Sequence, residues 1–165
     1  MPALLIPPGE ARSVSLGGLG VVFKISSEET GGRFSVVEHR IDPGGIVHPH
    51  RRTKEDEFSC VLEDEVGLRI GRQEFQAGAG SYVFKPRGVP HGFWNPGPKP
   101  TGLIEFMAPA GVEKYLEKVD RLIRSGATPG GKEPLELNSR FGQTTDGMEW
   151  IPELLSKYHV RLAGR

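Results

Sequence analysis

Residues 80–95 decide the fold class of this chain: Gly80-Ser-Tyr-Val-Phe-Lys-Pro86-Arg-Gly88-Val-Pro-His91-Gly-Phe-Trp-Asn95. Proline and glycine favour turns, so the pattern predicts two short β-strands on either side of a turn, with His91 on the second strand. A small β-barrel uses such a segment to point an imidazole into its own cavity. The question is then which side chains this imidazole meets.

Short β-forming runs with turn signals continue on both sides of this segment, from about Val21 to Met107. The predicted strands are residues 21–26, 34–41, 46–50, 57–62, 65–70, 73–76, 82–85, 92–95 and 102–107. Many short strands at close spacing are typical of a sandwich or barrel. The sequence therefore predicts an all-β domain with a barrel over about residues 12–109.

After the last predicted strand, apolar residues recur at the spacing of an α-helix. The helical positions are Val112, Tyr115, Leu116, Val119, Leu122 and Ile123. Gly126 predicts the end of this helix, and a connector rich in glycine and proline follows at residues 128–134. A weaker amphipathic run surrounds Ile151 and Leu155. We therefore expect an extension over about residues 110–165 with one or two helices.

The composition of the chain excludes several classes of function and partner. The chain has 165 residues, which suits one domain, and its 21 basic and 21 acidic residues give no net charge. Nucleic-acid binders usually carry a basic excess, so we expect no nucleic-acid partner. The single cysteine, Cys60, favours a reducing compartment, and neither an export signal nor a membrane-spanning segment is recognisable. We therefore expect a cytoplasmic protein with no membrane partner.

The stretch from Phe34 to Pro109 resembles the cupin superfamily, whose fold is a double-stranded β-helix, or jelly-roll barrel, built from two sequence motifs. Every signature position of the second motif is matched, at Gly80, Pro86, Gly88, His91 and Asn95. Small bacterial cupins often continue through Pro-Ala-Gly into a helix, as residues 109–112 do here. The resemblance implies a single-domain cupin over residues 1–165.

The first cupin motif has a His-x-His pair, then a glutamate, then a glycine. His50 takes the first histidine position and Glu57 the glutamate position, whereas Arg52 replaces the second histidine and Asp64 the closing glycine. A register that takes His48 and His50 as the pair would change the spacing on both sides. We therefore prefer the register through His50, which needs no insertion.

The resemblance implies a divalent transition metal, because cupins usually hold one with three histidines and a glutamate. His50, Glu57 and His91 remain as ligands, and two histidines with one carboxylate form the facial triad of non-haem iron oxygenases. Such ligands suit Fe, Mn, Ni, Cu or Zn, and the spacing does not choose among them. His48 shares a strand face with His50 by alternation and is a reserve ligand.

Two orientations of Arg52 stay open. If the guanidinium points inward, it pairs with Glu57, opposes a metal cation and leaves His50 and His91 as polar lining of a metal-free pocket. If it extends to solvent, the metal site is undisturbed.

Two functions follow. The first is a metal-dependent, dioxygenase-like enzyme acting on a small chelating enol, phenol or hydroxy acid, with Glu57 as ligand or proton acceptor and Arg52 as a clamp for the substrate carboxylate. The second is a metal-free, non-catalytic protein that binds a small anionic or aromatic ligand. In both, Ser59, Phe93 and Asn95 are predicted to line the pocket.

The face of the strand opposite Glu57 carries Phe58, Cys60 and Leu62. Cupin barrels commonly dimerise through such faces, so the resemblance implies a homodimer.

Four further residues have predicted positions. Trp94 points out of the barrel by alternation from His91. Glu105 is kept as a reserve ligand because its facing is undecided. His39 and His159 are predicted to lie at the surface or against a partner.

Overall fold

The structure is a computed structural model that describes residues 4–128 and 130–162. Six strands, numbered along the chain, form the first sheet: β1 Ser13–Ser15, β2 Leu19–Ile25, β3 Ser35–Ile41, β5 Asp56–Glu63, β8 Tyr82–Lys85 and β10 Thr101–Ala108. They run antiparallel in the order β1-β2-β3-β10-β5-β8.

The second sheet closes the jelly roll. Its strands are β4 Gly45–Arg52, β6 Glu65–Ile70, β7 Gln73–Gly78, β9 His91–Trp94, β11 Gln143–Thr144 and β12 Arg161–Leu162. The order is β11-β4-β9-β6-β7, and β12 pairs with β4 in the parallel direction. This architecture confirms the predicted all-β jelly-roll barrel.

The helices lie mainly after the barrel. They are α1 Ser27–Thr30, α2 Val112–Arg124, α3 Lys132–Arg140, a 3₁₀ turn at Met148–Trp150 and α4 Ile151–Tyr158. The predicted helix from Val112 is confirmed, whereas α3 occupies part of the predicted connector. Pro134 is the third residue of α3, in the first turn, where no intrahelical N–H bond is lost.

Strand alternation explains which side chains face inward. In β3, β5 and β10, every second residue is buried, and these inward positions hold polar as well as aliphatic side chains. The aliphatic members join residues of α2 and α3 in the main hydrophobic core. Among the polar members, His39 and Ser59 contact Glu105, and Lys85 of β8 joins Glu105 to Glu57.

A second, smaller core lies outside the second sheet, under α4. Trp94 points out of the barrel as predicted, and it is fully buried because Leu154 and Tyr158 of α4 cover it. The indole lies against Gly67 so closely that a Cβ there would be 2.2 Å from the ring. Only glycine fits at this position.

At Asp64, where the cupin motif has a glycine, φ is +54°. Aspartate tolerates this left-handed conformation better than most residues, so the departure from the motif keeps the turn. Among the described residues, no helix is long and apolar enough to cross a membrane.

Candidate functional site

Three predicted metal ligands converge inside the barrel. His50, Glu57 and His91 are all buried, and each offers a ligand atom within 4.8 Å of the other two. The pairing of β4 with β9 sets His50 opposite His91, with ring centroids 4.5 Å apart.

Backbone carbonyls set the orientation of both imidazoles. His50 Nδ1 lies 2.8 Å from the carbonyl oxygen of His48, and His91 Nδ1 lies 3.1 Å from that of Val89. A carbonyl oxygen accepts the Nδ1–H, so in the neutral ring Nε2 carries the lone pair and faces inward. Ligating histidines in metal sites are held in this way.

One contact among these three side chains is not a sound hydrogen bond. His91 Nε2 lies 2.9 Å from Glu57 Oε2, and within the described part of the chain neither atom makes a geometrically sound hydrogen bond. Two acceptors at this distance repel each other unless a proton or a cation lies between them. The contact is therefore a place where a positive charge is stabilising.

Arg52 takes the inward of its two predicted orientations. Its side chain is 5% exposed, and Nε donates to Glu57 Oε1 over 3.1 Å. The guanidinium lies over the ring of Tyr115 on α2, 5.0 Å from the ring centroid. Strand β11 covers this corner, where Gln143 pairs with Arg52. The alternative orientation, in which Arg52 extends to solvent, is therefore wrong.

The strand register brings a second cation to the same carboxylate. Lys85 on β8 pairs with Glu57 on β5, and its fully buried Nζ lies 3.1 Å from Glu57 Oε2. Lys85 also contacts Glu105 Oε1, whose other oxygen lies 3.3 Å from Nε2 of buried His39. The prediction of a surface position was therefore wrong for His39, whereas His159 is exposed as expected.

Comparison with known proteins identifies this barrel. A sequence model of the cupin domain matches residues 37–107. An RmlC-like cupin from Shewanella frigidimarina superposes with a TM-score of 0.59 at 20% identity, over 68% of this chain and 96% of that chain. Residues 37–107 therefore form a cupin domain.

Two solved enzymes have a similar fold to this cupin. The polyketide cyclase RemF from Streptomyces resistomycificus has a TM-score of 0.56 at 23% identity, over 65% of this chain and 80% of that one. Oxalate decarboxylase from Bacillus subtilis, described with Mn(II) centres, has a TM-score of 0.56 at 16% identity, over 62% of this chain and 29% of that one. At these identities only the fold is established. A search of curated proteins found no significant match.

The residues of this cupin fit a divalent metal in geometry. Two imidazole nitrogens and a carboxylate oxygen converge, and the unsatisfied contact between His91 and Glu57 lies among them. Arg52 and Lys85 oppose a metal by charge, because each places a cation on Glu57. The centre is therefore a candidate metal site with two built-in competitors.

The buried charges shift each other's pKa values. Burial raises the pKa of the Glu57 carboxyl, but Lys85, His91 and Arg52 outweigh this and hold it well below its usual range. Burial also opposes ionisation of Glu105, yet Lys85 lowers its pKa to about 2. The pKa of Lys85 is raised, because Glu105 and Glu57 outweigh the effect of burial. Both carboxylates are therefore ionised at neutral pH.

His50 is kept neutral. Burial lowers its pKa well below 6.5, and nearby His91 and Arg52 lower it further. A neutral imidazole is the form that binds a metal or accepts a proton.

The predicted pocket residues have different surroundings. Ser59 faces inward, but its hydroxyl donates to Glu105 over 3.0 Å. Phe93 lies under Lys85, with Nζ 5.1 Å from the ring centroid. Asn95 donates to the carbonyl oxygens of Ile41 and Lys99, which holds the loop after β9. Ser59 and Phe93 therefore contact the charged groups of Glu105 and Lys85, whereas Asn95 stabilises a loop.

His48, the reserve ligand, lies outside the converging group. Its side chain is exposed, because the β4–β9 register shifts between Val47 and His50. Pro49, which has no N–H for the ladder, occupies this irregularity. Alternation therefore fails here, and His48 does not share an inward face with His50.

Proposed function

We propose that this cupin is a metal-dependent enzyme that acts on a small chelating compound, such as an enol, a phenol or a hydroxy acid. One observation carries the proposal: the ligand atoms of His50, Glu57 and His91 lie within 4.8 Å of one another, with both Nδ1 atoms held by backbone carbonyls. Oxygenase-type chemistry is part of the proposal, because this donor set is that of non-haem iron oxygenases. The Mn(II) centres of oxalate decarboxylase add support from a protein of the same fold.

Each side chain has a proposed role. A bound divalent metal would supply a Lewis acid beside the substrate. Arg52 would hold an anionic oxygen of the substrate, because its Nη1 has no acceptor in the described part of the chain. Glu57 stays ionised between Arg52 and Lys85, which suits a ligand and disfavours proton uptake at neutral pH.

A second candidate function is metal-free binding of a small anionic or aromatic ligand. It is favoured by the cations on both oxygens of Glu57, with Arg52 Nε and Lys85 Nζ each 3.1 Å away. In this alternative the two side chains replace the charge of the metal.

Metal titration separates the two functions. We expect Mn²⁺ or Fe²⁺ to bind the chelator-treated protein in calorimetry and to raise its Tm. At a hundredfold excess over Kd, a single site adds about 2.7 kcal/mol of stability, or roughly 5–10 °C for a chain of this size. His91→Ala should abolish both effects, and the matched change His159→Ala at an exposed position should abolish neither. Absence of binding in the folded wild type would leave the metal-free function.

We also propose that the protein is a cytoplasmic homodimer. The outer face of the first sheet exposes large apolar side chains: Phe58, Leu62, Tyr82, Phe84 and Phe106. An uncharged apolar patch on one face complements a second copy of itself about a two-fold axis. Light scattering should give a dimer for the wild type and a monomer for Phe84→Glu, which is 59% exposed on this face.

The control for the dimer is Phe75→Glu on β7, because Phe75 is similarly exposed on the other sheet. It should remain a dimer. A wild-type monomer at micromolar concentration would contradict the proposal.

A further inference from the structure

A cavity of about 470 Å³ lies between β4 and the C-terminal helices α2 and α3. Cavities that bind small molecules usually measure about 300–1,000 Å³. Most of the wall is aliphatic and includes Leu16, Leu19, Leu116, Val119, Leu122 and Leu135. Four of these six side chains belong to α2 and α3, so the extension builds much of the apolar wall.

Polar groups of the barrel centre reach the same cavity. His50 and Arg52 belong to its wall. Arg52 Nε is engaged by Glu57, whereas the buried Nη1 has no acceptor among the described residues. Leaving a charged donor buried and unpaired is costly, so an anionic oxygen at this position is stabilising.

The stacking of Arg52 on Tyr115 fixes the direction of the guanidinium. The hydroxyl of Tyr115 donates to Asn138 Oδ1 over 2.9 Å and accepts from Gln143 Nε2 over 2.8 Å. The aromatic ring is thereby held between α2, α3 and β11. Arg52 is therefore a preorganised hydrogen-bond donor to an anion, in the wall of an otherwise largely apolar space.

We infer that the cavity takes an organic anion with an apolar body: a carboxylate at Arg52, and a hydrocarbon chain or ring system between β4 and the helices α2 and α3. This inference deepens the proposed function, since the carboxylate would lie beside the candidate metal site. Burial contributes about 25 cal/mol per Å² of apolar surface, so affinity should grow with the size of the body. The C-terminal helices, rather than the barrel, then select the substrate.

Octanoate, acetate and 1-octanol test both ends of the ligand. Calorimetry on the chelator-treated protein, with and without added Mn²⁺, should show octanoate binding at least tenfold more tightly than either acetate or 1-octanol. Arg52→Gln should remove the preference of octanoate over 1-octanol. Equal affinities for octanoate and acetate would overturn the apolar part of the inference.

A second test compares a substitution that fills the cavity with the same substitution outside the cavity wall. Val119→Trp on α2 should weaken octanoate binding at least tenfold and leave the response to Mn²⁺ unchanged. Val22→Trp, the same change on the first sheet outside the cavity wall, should leave both unchanged. If Val119→Trp does not fold, Leu122→Phe makes a smaller change on the same wall and should weaken octanoate binding in the same direction. Equal octanoate affinity in a folded filling variant and in Val22→Trp would overturn the inference.

The two proposals fail separately. Octanoate selectivity without any Mn²⁺ binding would contradict the metal-dependent function and keep the inference. Mn²⁺ binding that depends on His91, without any preference for octanoate over acetate, would contradict the inference and keep the metal-dependent function.

Discussion

Replacing Lys85 with methionine tests the central electrostatic feature of this cupin. Two cations, Arg52 and Lys85, face two ionised carboxylates, Glu57 and Glu105, so the four groups are neutral together. Lys85→Met keeps an unbranched side chain of similar length but leaves one net negative charge in a buried site. Removing one partner of a buried ion pair typically costs about 3–5 kcal/mol.

We therefore expect Lys85→Met to lower the free energy of unfolding by about 3–5 kcal/mol at pH 7, a large part of the stability of an ordinary domain. The loss should shrink at pH 5. Without Lys85, the carboxyl of Glu105 loses the main cause of its lowered pKa, so it can take up a proton as the pH falls. A carboxyl with a raised folded pKa costs stability as pH rises through that value, which gives the expected sign.

Urea unfolding followed by circular dichroism at pH 7 and pH 5 measures these differences, and equal m-values show that the same surface unfolds. Lys85→Met/Glu105→Gln restores neutrality and should recover most of the loss at pH 7. Lys99→Met, at an exposed lysine, should change stability by less than about 0.5 kcal/mol. A loss below about 1 kcal/mol, or a double variant no more stable than the single one, would refute this reasoning.

Two further predictions concern the metal and pH. Arg52→His should tighten Mn²⁺ binding at least tenfold in calorimetry, because it adds an imidazole and removes a cation; unchanged affinity would indicate that the motif register through His50 is wrong. Stability should also fall between pH 4.5 and pH 2, because the folded pKa of Glu105 is about 2 and its ordinary value is 4.5. The buried Glu105 carboxylate accounts for about 3 kcal/mol of this loss, which Glu105→Gln should remove from the pH profile of unfolding; an unchanged acid limb would contradict it.

Motif spacing predicted the barrel and the three converging side chains because both depend on local sequence. The pattern around His91 fixes a turn between two strands, and the spacing from His50 to Glu57 fixes the corner between β4 and β5. Alternation along β9 also placed Trp94 outside the barrel. These features require only the strand period and the positions of turns.

The contacts that Glu105 makes with Ser59 and Lys85 depend on cross-strand register, which one sequence does not supply. Glu105 meets Ser59 and Lys85 only because β10 and β8 flank β5 in this register. One signal was present: Tyr82 and Phe84 alternate outward, which places Lys85 inward. His48 shows the opposite case, because the irregularity at Pro49 interrupts a period that the sequence alone suggests is continuous.

Charge balance relates the metal to the anion. The four buried groups are neutral together, so a divalent metal at His50, Glu57 and His91 would bring the centre to two positive charges. A carboxylate on Arg52 would reduce this to one. The metal and the anion would therefore stabilise each other, and by linkage each would raise the affinity for the other by the same factor. Under these proposals, Arg52 removes one metal ligand but provides the site at which a bound anion would restore metal affinity.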